Sequence, residues 1–287
     1  MITALLIIFA LIIEYIYDPI SNMKDTMVID ITFDKYKSLA KNYIENKYYL
    51  YICFPIIIIF FFSILSYFLE FYIHYFFSFI ISLIILVYCL KPNEFIQKID
   101  DLKFKINDHN EIEEIDRFNY ILAVNNSKTN DIEKIINNIF YNSVRNIFSI
   151  IFCFLILGPS GSLAYVILDN FIYGKHTKLD QKSKSKIKII IGLVDYIPIR
   201  LCAFSFAIVA DFEKCMKSWK MTKKEKDIYT SNINFNNKIG RTSVMLSEED
   251  EENILLDKVI FAQSIIIRSL LAWLSLIALL VIGGFFI

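Results

Sequence analysis

The sequence predicts an all-α polytopic integral membrane bundle, with a broken or re-entrant helix pair and cytoplasmic helical segments. Three observations predict it. The 287 residues are 56% hydrophobic with a mean hydropathy of +0.49, too apolar for a soluble domain of ordinary usage. The apolar runs are too long for strands. Two of those runs, between about Ile147 and Ala210, are interrupted where an ordinary membrane helix would continue. One reads IFSIIFCFLILGPSGSLAYVIL, with Gly158-Pro159-Ser160-Gly161 at its centre; the other reads KIIIGLVDYIPIRLCAFSFAIVA, with Asp195, Pro198 and Arg200 inside it. Hydrocarbon cannot hydrogen-bond a freed backbone group, so such breaks survive at membrane depth only beside protein or a wet cavity. An intramembrane Asp or Arg is costly, and by default it points to function.

Thirty basic and thirty acidic residues leave no net charge, which argues against nucleic acid as a partner. Ile, Lys, Asn, Phe and Tyr are abundant beside seven Gly and five Pro. That bias reads as codon usage, so run length decides secondary structure here rather than the β-propensity of Ile. The five cysteines show no Cys-x-x-Cys spacing, and four lie in apolar segments. They read as small packing residues, with no disulfide framework.

Taken in order, residues 2–17 form an apolar segment with one charge, Glu14. It lacks the positive start and cleavage site of a signal peptide and is short for a full span of about 20 residues. Glu14 near its end either snorkels to water or meets a buried partner such as Arg200 or Arg268. The block from Tyr48 to Leu90 is broken only by Glu70 and His74. As one helix it would reach about 65 Å, so it divides into antiparallel spans over 48–69 and 71–90. Its many aromatic residues suit the bilayer interfaces.

Residues 91–146 read as a water-facing helical segment. Phe95, Ile99, Leu102 and Ile106 share one face, and a second helix is expected from Ile112 to Val124. A third starts at Asn130, which with Glu133 has the form of a capping box. Its stripe of Ile132, Ile135, Ile136, Ile139, Phe140 and Val144 runs into the first broken segment, 147–168. Asp108, Glu111, Glu113 and Glu114 around His109 read as a solvated acidic face.

The second broken segment covers 188–210, behind a lysine-rich loop from Lys175 to Lys188. If both broken segments cross fully, that loop falls opposite the other basic loops, against the positive-inside rule. A pair that dips in and returns removes the conflict. Residues 211–262, with a basic and an acidic run, read as a flexible polar linker, and 264–287 as a last span. In it Arg268 can snorkel, and Trp273 sits at the interface or in the bundle.

At Leu193–Leu201 the run LVDYIPIRL resembles the hydrophobic-Asp-aromatic-Val/Ile-Pro-x-Arg-Leu signature of the AmpE/CobD (CbiB) membrane protein family. Gly158-Pro159-Ser160-Gly161 followed by Leu163-Ala164-Tyr165 resembles that family's small-residue break, and the likeness covers 1–287 as a single membrane domain. One branch of the family is a cobalamin-pathway synthase that joins an amino-alcohol to a corrinoid carboxylate using ATP. The other is a non-enzymatic regulator linked with β-lactamase induction and cell-wall recycling. In the stretch where the synthase branch is acidic, this chain has Asn137, Tyr141 and Arg145, and only Asn142 survives. No His-Pro follows Asp18-Pro19 either. ATP-dependent amide formation needs carboxylates to hold Mg²⁺, so the resemblance implies the regulatory branch, with no cofactor.

It also implies a multi-pass protein of the bacterial inner membrane, with a cell-wall recycling or signalling protein as partner. A small-solute transporter using the broken helices ranks last, since no internal repeat is present. The candidate ligand-binding residues are Asp195, Tyr196, Pro198, Arg200, Asn142, Glu14, Gly158 and Gly161, around an anionic small ligand. In a regular helix Asp195 and Arg200 stand about 140° apart. Pro198 between them kinks the helix, or each charge pairs elsewhere, Asp195 with Arg145 and Arg200 with Glu14. A purely structural role, locking the bundle, is the competing reading. His74, His109 and His176 have no ligand spacing, so no metal site is expected.

Overall fold

The computed structural model describes residues 2–17, 27–41, 47–73, 75–107, 131–174, 179–222, 225–244 and 254–284. Outside them lie the helix expected over Ile112–Val124, the acidic cluster around His109, His74, His176, the cap residue Asn130 and the acidic run 247–252. The regular elements among the described residues are all helical. They divide into two compact units: Met1–Lys91, Ser149–Val194 and Ala278–Ile287 form the first, Pro92–Phe148 and Asp195–Ile277 the second.

In the first unit α1 (Ile2–Tyr17) and α2 (Met27–Ala40) precede the hairpin of α3 (Lys47–Phe68) and α4 (Tyr75–Cys89), joined through a π-helical turn at Leu69–Ile73. Near-continuous Ile, Leu, Phe and Tyr make α1, α3 and α4, because a helix satisfies its backbone groups within its own segment in hydrocarbon. Helices lie over the expected segments 48–69 and 71–90, although the second apolar stretch continues to Phe104, into the segment read as water-facing. Phe60, Phe61, Ile64, Tyr67, Phe71 and Tyr72 lie exposed, as lipid-facing residues should. Glu14 does not snorkel: it is fully buried in α1.

Among the described residues four stretches are long and apolar enough to cross a membrane: Tyr48–Phe68, Tyr75–Phe104, Ile132–Tyr173 and Leu255–Ile282. The third is not one rod. α7 (Ser149–Tyr173) breaks at Gly158, where φ is 66° and ψ −155°, a backbone region open essentially to glycine alone. Beyond the break the chain doubles back. Ser162 Oγ donates to the carbonyl of Ile150, twelve residues earlier, at 3.1 Å; in an unbroken helix those residues lie about 18 Å apart. A Cβ on Gly161 would sit 2.5 Å from the carbonyl oxygen of Cys153, so only glycine lets the two arms cross there.

The returning arm runs antiparallel to α3. Phe171 meets Tyr51 at 5.4 Å between ring centroids, and Ser160 shares a hydrogen bond with Ser63 at 3.4 Å. α8 (Gln181–Val194) then starts at the same end as α3, with Lys186 Nζ 4.1 Å above the Tyr48 ring. The lysines of 182–188 therefore stand beside the start of α3, and the charge conflict created by a fully crossing first segment does not arise.

The second unit holds α5 (Pro92–Asn107), α6 (Asp131–Ser143), a π-helical turn at Val144–Phe148, α9 (Tyr196–Val209), α10 (Phe212–Lys220), α11 (Ile228–Ser243) and most of α12 (Ile254–Ile282). Phe95, Ile99 and Leu102 of α5 and the α6 stripe from Ile135 to Val144 are buried, as their spacing requires. Trp273 is buried too, its Nε1 donating to Ser205 Oγ at 2.9 Å, which places it in the bundle.

Residues 211–262 correct the expectation of a flexible linker. The described residues among them form α10, α11 and the start of α12, so the last helix begins at Ile254 rather than near 264. Asp211 caps α10, accepting from Lys214 N at 3.0 Å, and Asp227 caps α11, accepting from Thr230 N at 3.1 Å. Each cap satisfies an otherwise orphaned N–H. The buried face of α11 combines Tyr229, Ile233 and Ile239 with Asn232, Asn236 and Gly240. Its amides make a buried face read as a surface one.

Candidate functional site

The second interrupted segment supplies the site. α8 and α9 meet at Asp195 with a bend of 51°. Pro198 is the cause, but the bend is not at Pro198. In a continuous helix its N–H would bond the carbonyl of Val194; the ring removes that donor and crowds that carbonyl, so the helix parts there. Pro198 itself lies in the first turn of α9, where a missing N–H costs nothing. Ile199 N reaches Asp195 O at 3.0 Å as the first bond of the new helix. Asp195 is thus an N-cap by position, 1% exposed, although its carboxylate makes no side-chain cap bond.

Arg200 and Asp195 do not form the simple pair that the kink suggested. Among the described residues Arg200 has no carboxylate partner. Its Nη1 donates twice, to the backbone carbonyl of Tyr196 at 2.7 Å and to Asn232 Oδ1 of α11 at 3.0 Å. The guanidinium also lies 3.4 Å above the Tyr196 ring and 5.2 Å from the centre of Phe235. Two rings and two acceptors fix one orientation. Both bonds leave from the same nitrogen, so the Nη2–Nε edge of the fork faces no described acceptor. A guanidinium edge of this kind matches the two oxygens of a carboxylate or phosphate.

Asn142 lies in the same unit, 4% exposed. Its Nδ2 donates to Asn138 O at 2.8 Å, and its Oδ1 accepts from Arg145 Nη1 at 3.1 Å. The Arg145 side chain, buried as well, stands 5.8 Å from the centre of the Tyr141 ring. Asn142 therefore orients a buried arginine. Glu14, Gly158 and Gly161 belong to the first unit, where Glu14 is buried in α1 and the glycines shape the reversal of α7. Ser160 and Ser162 beside them are spent on packing bonds, to Leu157 O at 2.8 Å and to Ile150 O.

The residue that sequence reasoning missed is Asn232, because its segment was read as a linker. A signal existed: Asn232, Asn236 and Gly240 recur every fourth position, which is one face of a helix. Gly240 marks how close that face runs, since a Cβ there would meet the Phe140 ring at 2.6 Å. Asn236 is fully buried between them.

A family model described as "Regulatory signalling modulator protein AmpE" matches residues 5–287 of this chain. No curated protein and no solved structure matches it.

Proposed function

We propose, from the premise that the chain belongs to the AmpE family of regulatory signalling modulators, that it senses a small anionic ligand in the membrane. The observation that carries this reading is Arg200, held between Tyr196 and Phe235 with one edge of its fork uncommitted among the described residues. That edge is reachable, since the Arg200 side chain is half-buried rather than sealed in the bundle. Asp195 and Pro198 set the bend that presents it, and Asn232 holds its rotamer. The protein sits in the bacterial inner membrane, acts on β-lactamase induction through a cell-wall recycling or signalling protein, and performs no chemistry itself.

The test compares Arg200→Ala and Arg200→Lys with wild type in two measurements. One is thermal unfolding of the purified protein with and without inorganic phosphate; the other is β-lactamase induction in a deletion strain. Stabilisation by phosphate and restored induction are expected for wild type only, since Lys cannot reproduce the fork. An alanine variant that folds, responds to phosphate and restores induction removes the reading.

A further inference from the structure

We infer that one end of the first unit is a docking surface for anionic phospholipid headgroups, built from α2 and the starts of α3 and α8. It does not depend on the ligand reading at Arg200. The aromatic core at this end fixes the three elements together. Phe33 of α2 stacks on Tyr51 at 5.1 Å and meets Phe54 and Phe171 edge-on at 5.3 and 4.8 Å. Asn170 Nδ2 donates to Asp30 Oδ1 at 2.9 Å, tying α2 to the returning arm of α7. Lys186 over Tyr48 adds the start of α8.

Onto this core the sequence hangs two kinds of outward residue. Val28, Ile31 and Leu39 of α2, Tyr49 of α3 and Ile189 of α8 are exposed and apolar. Among them stand Lys35, Lys37, Lys41, Lys182, Lys184, Lys186 and Lys188, exposed or half-buried. Among the described residues seven lysines meet four aspartates here, Asp30, Asp34, Asp169 and Asp180, and Asp30 already accepts from Asn170. Asp180 is engaged too: its Oδ2 accepts from Ser183 N at 3.1 Å and caps the start of α8.

The apolar residues choose the source of the anion. A helix with apolar and lysine residues exposed together lies at the boundary between headgroups and acyl chains, and tyrosine favours the same depth. Free phosphate would need only the lysines. The basic end also belongs to the cytoplasmic leaflet by the positive-inside rule, and that leaflet carries the anionic lipids.

The test uses the full chain in nanodiscs of phosphatidylcholine alone or mixed equally with phosphatidylglycerol. Lipids retained by the protein are counted by native mass spectrometry. Wild type is expected to retain phosphatidylglycerol in preference to phosphatidylcholine, less so at high salt. Each of Lys182→Gln and Lys186→Gln should lower that preference by roughly fivefold, and the four-site change of Lys182, Lys184, Lys186 and Lys188 to Gln by at least about tenfold. The matching four-site change to Arg should keep it. Circular dichroism separates lost charge from lost fold, and Lys182→Gln, on an exposed side chain, covers the case in which the four-site variant misfolds. The inference is overturned if wild type shows no preference, or if the Gln variants keep it. It is also overturned if, in an Arg200→Ala background that removes the site proposed above, inorganic phosphate displaces the retained phosphatidylglycerol as completely as the four-site change to Gln does.

Discussion

The two interrupted helices break by different chemistry and to different ends. At Gly158 the backbone enters a region that only glycine occupies at low cost, and the chain reverses completely. At Asp195 every residue keeps an ordinary conformation, with φ −76° and ψ −7° at the break itself. A proline four positions beyond the freed carbonyl yields only a 51° bend. The first break carries no charge and is closed by packing. The second puts a carboxylate at a helix start and an arginine one turn later. A reversal built on glycine serves architecture, whereas a bend built on proline leaves polar groups available to a ligand.

Substitutions at the two breaks sharpen that contrast, the largest effect coming first. Gly161→Ala should destabilise by about 3 kcal/mol or more, because its Cβ meets the carbonyl oxygen of Cys153, which is backbone and cannot swing aside. Gly158→Ala should cost about 2 kcal/mol from the strained conformation alone, as nothing lies within 4 Å of the added Cβ. Unfolding of the reconstituted protein in denaturant measures both, and equal losses would mean that the reversal is held by conformation rather than by the crossing. Asp227→Ala, which removes the cap of α11 one turn before Asn232, should cost about 1 kcal/mol. Its sharper readout is phosphate stabilisation, which should weaken as Arg200 loses its brace.

The smallest effect is a pH dependence. The backbone N–H of Lys214, then its ammonium at 3.2 Å, hold the Asp211 carboxyl below the usual carboxylate range. A carboxyl lowered on folding contributes stability above the unfolded value of about 4, and that stability is lost as pH falls through the folded value. Acid titration of wild type against Asp211→Asn should show this difference fading below about pH 4. A difference that grew on acidification would reverse the assignment.

The sequence disclosed the outline of this molecule better than its site. Run length placed the α3–α4 hairpin, and the 3–4 spacing of Ile135, Ile136, Ile139 and Phe140 placed the buried face of α6. Gly158-Pro159 announced a break, and the lysine-rich loop argued for a pair that dips in and returns, but that the first segment reverses within itself rests on a backbone angle, which leaves no trace in composition. Pro198 announced a kink, but its effect falls on Val194, the carbonyl it cannot serve. Asn232 and its helix escaped notice because a buried amide counts as polar in any hydropathy reading. Only the partner on the facing helix shows that it lies inside.

The reversal at Gly158 also brings distant parts of the chain to one end of the first unit, where Lys186 and Tyr48, more than a hundred residues apart, are in contact. A reagent that cannot permeate membranes therefore reaches both positions or neither, and a fluorophore placed at one reports on binding events at the other. A crossing count based on hydropathy alone would have assigned them to opposite compartments.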